Sequence, residues 1–321
     1  MDRHNDTKAM VESGILTSVA IVLILMSLYI PVFILVGIFI WPIPITLIYI
    51  KHGMKYSLSS LFITFVVSMM TFDPLTAFTL VIVFGSMGFV LGYCIKSKKA
   101  VSISILILSA TAFLCTLVST QILSVIMGQN IISQGIKALT LARDSTKGMY
   151  IKMAMSKESI NTAMAAIPTP SMIMMVLPAL IITYSVSMAV FSYLITQKIL
   201  KRFKYNIPQI SPLSEWYIPS KISFGIILVF GISYLLMATG AENGQSYFIN
   251  ASLIFNYAFT INGIAFVAGF LRKKNILKPI RWVIILFCIL PPIGSFIYFI
   301  GVFDYMIDYR KLDPFRARPI K

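Results

Sequence analysis

Thirty-seven consecutive residues, 14–50, carry no charged side chain. A helix needs about 20 apolar residues to cross a bilayer, so this run alone exceeds one crossing. In lipid every backbone N–H and C=O must be satisfied within the segment, which leaves helices as the solution for a run of this kind. Pro31, Gly37, Pro42 and Pro44 interrupt it. The pattern predicts a first span over residues 14–36 and a second, short and Pro-broken, over 38–50. Such a length, without a basic n-region and a cleavage site, argues against a cleavable signal peptide.

The same alternation of apolar runs and short polar breaks continues to the end of the chain. Further spans are expected at 56–71, 75–95, 100–128, 171–199, 222–239, 247–270 and 282–303. Hydrophobic residues make up 58% and charged residues 12% of the 321, against roughly 45–50% and 25% in soluble domains. An ordinary soluble enzyme, a disordered chain and a disulfide-stapled secreted domain are thereby excluded. The fold class is all-α, a polytopic transmembrane helix bundle of eight or nine spans. Its expected organisation is a polar N-terminal tail (1–13), a helix bundle (14–199), a basic Pro-rich loop (200–221), C-terminal transmembrane helices (222–303) and a charged tail (304–321). Within the bundle, residues 129–170 are amphipathic and too charged to span, and are expected as one or two interfacial helices.

Charge sets the orientation. The chain carries 27 Lys+Arg against 11 Asp+Glu, a net +16. Lys and Arg number 2 in residues 51–55, 3 in 96–99, 5 in 198–221 and 5 in 272–281, whereas the connections near Asp73 and Glu242 hold none. That alternation places the four basic loops in the cytoplasm of a plasma membrane protein. It explains the charge without nucleic acid, for which no recognition motif is present. Two segments resist the pattern. Residues 129–170 would lie outside with five basic residues, and so would the tail, if 282–303 is one span. Length favours a single span kinked at Pro291-Pro292; a half-membrane hairpin there would return the tail inside.

Chemistry-bearing motifs are sparse. Cys94, Cys115 and Cys288 lie far apart within apolar runs, and His4 and His52 sit in polar flanks. No metal-ligand spacing, nucleophile elbow or phosphate loop occurs, so neither an enzyme nor a metal or cofactor site is expected. No acid or base sits mid-span, which weighs against proton-coupled transport. Ser109, Thr116, Thr120 and Ser124 follow helical spacing in the fifth span, with Gln121 beside them. Asn250, Asn256, Thr260 and Asn262 do so in the eighth. These are candidate ligand-binding groups, or hydrogen-bonding groups between helices. Gly14-x-x-x-Ser18 and Gly88-x-x-x-Gly92 permit close helix approach. Asp73-Pro74 reads as a structural turn. Asp304 and Asp308, four apart at the end of the last run, demand a compensating cation, which Arg310, Lys311 or residues 272–274 can supply.

Three stretches carry a resemblance: Pro208-x-x-x-Pro212-x-x-Glu215-Trp216-x-x-Pro219, Asn262-Gly263, and Gly301-Val302-Phe303-Asp304 followed by Asp308-Tyr309-Arg310-Lys311. With the span layout, they resemble the YybS-like family of bacterial membrane proteins, over essentially the whole chain. Asn262 stands where that family suggests Gln. The first six spans, with Trp41-Pro42-x-Pro44 and the basic turn after it, are also distantly similar to the S-components of energy-coupling-factor transporters. That likeness implies capture of a small molecule and docking on an ATP-driven module through small residues of the first helix, here Gly14 and Ser18.

Two functions follow as expectations. One is a substrate-binding membrane subunit or small-solute transporter, with Ser109, Thr116, Thr120, Gln121, Asn256 and Asn262 as ligand-facing groups. The other is a non-transporting scaffold or regulator in envelope or sporulation physiology. It would use Gly14, Ser18, Asp304, Asp308 and Arg310 to dock another membrane protein. The bilayer is the common partner of both.

Overall fold

A computed structural model describes residues 3–205, 207–290 and 294–313, and all regular structure among them is helical. Seven helical stretches are long and apolar enough to cross a membrane: Asp6–Ser27, Met54–Thr71, Pro74–Lys96, Val101–Ile126, Lys157–Arg202, Ser220–Ala238 and Gly244–Lys273. Gly37–His52 and Phe296–Ile307 are apolar but shorter. The chain divides into two compact units. The first comprises Met1–Pro170 and Tyr184–Ile210, the second Ser171–Thr183 and Ser211–Lys321.

In the first unit, α1 (Arg3–Tyr29) begins inside the polar N-terminal stretch. The expected tail is thus largely a helical extension of the first span. Helices α2 (Pro31–Ile40) and α3 (Pro42–His52) share the Pro-broken segment. Pro31 and Pro42 each open a helix, where no N–H is needed and the fixed φ is already helical. The prolines therefore start helices and leave short joints at Ile30 and Trp41. Helix α3 runs antiparallel to α1. Trp41 Nε1 donates to Ser27 Oγ (3.0 Å) and Leu23 O (3.1 Å) near one end. Lys51 Nζ and His52 Nε2 lie 3.0 and 3.1 Å from Glu12 Oε2 at the other.

After α4 (Met54–Thr71), Asp73 caps α5 (Pro74–Leu80), its Oδ1 accepting from the N–H groups of Leu75 and Thr76. A single π-helical segment, Val81–Gly85, carries the helix on into α6 (Ser86–Lys96). The glycines of Gly88-x-x-x-Gly92 press α6 onto α3. A Cβ at Gly88 would stand 2.5 Å from the Pro42 carbonyl oxygen, and one at Gly92 2.5 Å from the Tyr49 Cβ. Thr46 Oγ1 donates to Gly88 O across this contact at 2.9 Å. The core around it takes Leu47 from α3, Met87 and Leu91 from α6, Leu108 from α7 (Val101–Ile126), and Met188 and Tyr193 from α10 (Pro170–Arg202). The amphipathic insert forms two helices, α8 (Ile131–Lys152) and α9 (Lys157–Ala165), capped by the side chains of Asn130 and Ser156.

The second unit is built on α11 (Ser220–Ala238) and α12 (Gly244–Lys273). The residues of α10 that belong to it contain Pro178, which cannot donate a backbone hydrogen bond. Next to that break Asn250 of α12 inserts its amide into the helical ladder. Its Oδ1 accepts from Ala179 N (2.9 Å) and its Nδ2 donates to Met175 O (2.7 Å), a pair that would otherwise bond each other. Asn250 is thus a packing group.

The last apolar run departs from the expected single kinked span. It forms two short helices, α13 (Lys278–Ile289) and α14 (Gly294–Ile307). They are about 18 and 21 Å long at 1.5 Å per residue, each less than the roughly 30 Å hydrocarbon core. The residues after α14 return to the C-terminal end of α12: Lys273 Nζ lies 5.9 Å from the Tyr309 ring centroid, and Arg310 Cδ packs beside Gly269. The run therefore folds back: both of its described ends lie near the C-terminal end of α12, and Tyr309 and Arg310 come beside the basic loop 272–281. Pro291-Pro292 itself lies outside the described residues.

Candidate functional site

The three stretches singled out in the sequence meet at this end of the second unit. Asn262 is buried on α12, and Gly263 beside it brings α14 into backbone contact: a Cβ at Gly263 would collide with the Ile297 carbonyl oxygen, and one at Gly301 with that of Phe259. Close approach lets Asn262 Nδ2 donate to Gly301 O at 2.8 Å and reach Asp304 Oδ2 at 3.3 Å. Such an amide-to-carbonyl bond between helices replaces a partner that lipid cannot offer.

Arg310 closes the arrangement. Helix α14 ends with Asp308 in a left-handed conformation (φ 50°), which turns the chain back on itself. The guanidinium then forks onto Asp304 Oδ2, with Nε at 3.0 Å and Nη2 at 2.7 Å. Nη2 also donates to Asn262 Oδ1 (2.9 Å), and Nη1 donates to the carbonyls of Trp216 (2.8 Å) and Ser214 (3.3 Å). The side chains of Arg310 and Asp304 are only 10% and 6% exposed. Burial of this depth requires the multiple partners that are present.

Neighbouring contacts extend the network. Arg272 Nη1 bonds Ser214 Oγ (3.1 Å) and pairs with Glu215 (2.8 Å). Asp313 accepts from the backbone N and the hydroxyl of Ser220, the first residue of α11, where a carboxylate complements the exposed N–H groups. The tail thereby holds α11, α12, α14 and the 3-10 turn Leu213–Glu215 together. The other oxygen of Asp304, Oδ1, is buried and has no hydrogen-bond partner among the described residues. Asp304 lines a cavity of about 20 Å³ with Asn262, Asp308 and Arg310, room for about one water-sized group. Among the described residues, no three His, Cys, Asp or Glu side chains converge as metal ligands.

The remaining sequence candidates do not join this site. Ser109 and Thr120 donate to carbonyls one turn back in their own helix, at 2.8 Å each, and Thr116 Oγ1 is buried without a partner among the described residues. Gln121 and Asn256 are exposed. Gly14 and Ser18 are exposed on α1, with nothing within 4 Å of a Cβ built at Gly14. Of the residues proposed for docking, Asp304 and Arg310 pair with each other, and Asp308 supplies the turn. Sequence reading missed Ser214 and Trp216 as carbonyl acceptors and Asp313 as a cap. Only the Pro-spaced loop around them gave a signal.

Comparison with known proteins agrees with the membrane architecture. Over 315 residues, 93% of this chain and 96% of the other, the sequence is 26% identical to "Uncharacterized protein YybS" of Bacillus subtilis (strain 168). No solved structure matches. The model of the family described as "Predicted membrane protein (DUF2232)" matches residues 18–305, a range that takes in both units and the Asn262–Asp304 contact. The chain belongs to that family of multi-pass membrane proteins.

Proposed function

We propose that this protein is a membrane-embedded scaffold whose working surface is the cytoplasmic end of its second unit. The observation that carries this reading is the buried Arg310. One side chain fixes a helix end, a Pro-rich loop and a tail into a single preorganised surface. Ordering loops before binding reduces the entropic cost of association. Tyr217, 37% exposed, stands on that surface next to Trp216.

The test is a photo-reactive amino acid at position 217 of the full chain, cross-linked in its native membrane. The expected result is a protein adduct of fixed mass that disappears in Arg310→Gln. The absence of any protein adduct, together with a fixed small-molecule mass on the gently extracted protein, would overturn it. That outcome would favour a substrate-binding subunit. One observation supports this second reading: the open space over Gly14 on the exposed face of α1, where a helix of an ATP-driven module can approach closely.

A further inference from the structure

We propose that the second unit holds an anionic phospholipid at its cytoplasmic end, independent of any protein partner, in a groove that adjoins the Asp304 cavity at Arg310 and Leu312. The groove encloses about 520 Å³, within the range of small-molecule sites. Phe266, Phe270 and Tyr309 form its apolar side, and Arg272, Lys273 and Ser214 its polar side. An apolar wall beside a basic rim is the chemistry of a glycerophospholipid, whose phosphate and acyl chains differ in the same sense.

The charges decide the sign of the headgroup. Arg272 is paired with Glu215 and Arg310 with Asp304. Lys273 lines the groove, its ammonium 5.9 Å from the Tyr309 ring centroid, and Lys274 lies 6.0 Å from that of Phe270. Among the described residues neither lysine has an ion pair, so both retain an unbalanced positive charge. Lys273 ends α12 and Lys274 caps it, at the membrane boundary that the basic loops assign to the cytoplasm. Basic pockets between helices at that depth attract anionic headgroups. Free phosphate would use the rim alone, whereas the three aromatic rings favour a lipid.

The experiment is native mass spectrometry of the full chain, released from nanodiscs of phosphatidylglycerol or of phosphatidylcholine. One phosphatidylglycerol per chain is expected to be retained over phosphatidylcholine. Retention should fall about fivefold for each lysine removed in Lys273→Ala and Lys273→Ala/Lys274→Ala. Lys273→Arg should restore it, which separates charge from misfolding. Lys198→Ala/Lys201→Ala, which removes two charges from the basic end of α10, should leave it unchanged. Equal retention of the two lipids, or an equal loss in the Lys198/Lys201 variant, would overturn the proposal. Displacement of the lipid by millimolar inorganic phosphate would show a phosphate site without lipid selectivity and would also overturn it.

Discussion

Replacing Arg310 with glutamine removes the cation that Asp304 depends on. Both side chains are nearly buried, and after the change the Asp304 carboxylate keeps only the Asn262 amide at 3.3 Å. Removing one partner of a buried pair costs about 3–5 kcal/mol. The Trp216 and Ser214 carbonyls also lose their donor, but they are only partly buried and recover much of that loss by hydration. A figure near the low end, about 3 kcal/mol, is therefore expected, or roughly a 100-fold shift in the opening of the loop and tail at 1.4 kcal/mol per tenfold. Hydrogen exchange followed by mass spectrometry reads this directly. The Trp216 amide, which donates to Leu213 O at 3.1 Å, and the amides of 304–313 should exchange about 100-fold faster. Peptides from the first-unit core around Met87–Leu91 should not change. In Asp304→Asn/Arg310→Gln no charge remains buried, so the double variant should lie closer to wild type than Arg310→Gln alone, by about 2 kcal/mol of coupling. Loop exchange in Arg310→Gln within threefold of wild type, or a double variant more open than the single one, would refute this account of the network.

Further outcomes are expected from four regions of the chain. Gly301→Ala should cost about 1–3 kcal/mol by overpacking against the Phe259 carbonyl. Gly225→Ala, where nothing lies within 4 Å, should be neutral or slightly stabilising in thermal melts of the purified protein. Asn250→Ala should lower stability by about 1 kcal/mol, because α10 loses its partner beside Pro178. Asn256→Ala should stay within about 0.5 kcal/mol in the same assay. Asp73→Ala should cost about 1 kcal/mol for the lost helix cap. Hydrogen bonds from Thr76 first, and from the Thr76 and Leu75 backbone, hold the Asp73 carboxyl below its ordinary value of 3.8. Its contribution is therefore fully present above that value and fades as pH falls through the folded-state pKa, so the wild-type and variant melts should converge in acid. Single cysteines introduced at 276 and 311 in a chain cleared of its own three should be labelled from the same side of the membrane, and one at 242 from the other.

Much of the fold was legible because membrane helices are dictated by local composition. Uncharged runs became helices, Asp73 capped the helix it precedes, and the charged stretch 129–170 formed two amphipathic helices. The stretches that meet at the candidate site were also visible, and Arg310 was among the expected cations for Asp304. What sequence could not resolve depends on partners distant along the chain. Asn250 could be read as a ligand group because its true partner, the backbone at Pro178, lies some 70 residues away. The hydroxyls of α7 resemble a binding stripe, yet a serine or threonine in a helix can bond its own preceding turn without altering the pattern. In residues 282–303 the length matches one crossing as well as two half-crossings, and only the return of Tyr309 and Arg310 to α12 distinguishes them.

That hairpin also accounts for why the site is assembled as it is. The glycines at 263 and 301 let α14 lie directly on α12, and Asn262 then satisfies the Gly301 carbonyl. Asp304, one turn further on, becomes buried by the same approach and needs a cation. Because the chain after α14 returns to the C-terminal end of α12, Arg310 meets Asp304 and the Trp216 carbonyl together. Arg310 then lies beside Gly269, one turn before the basic residues 272–274. The glycine contact, the amide and the ion pair thus depend on one packing of α14 against α12, and each should fail if that packing is lost.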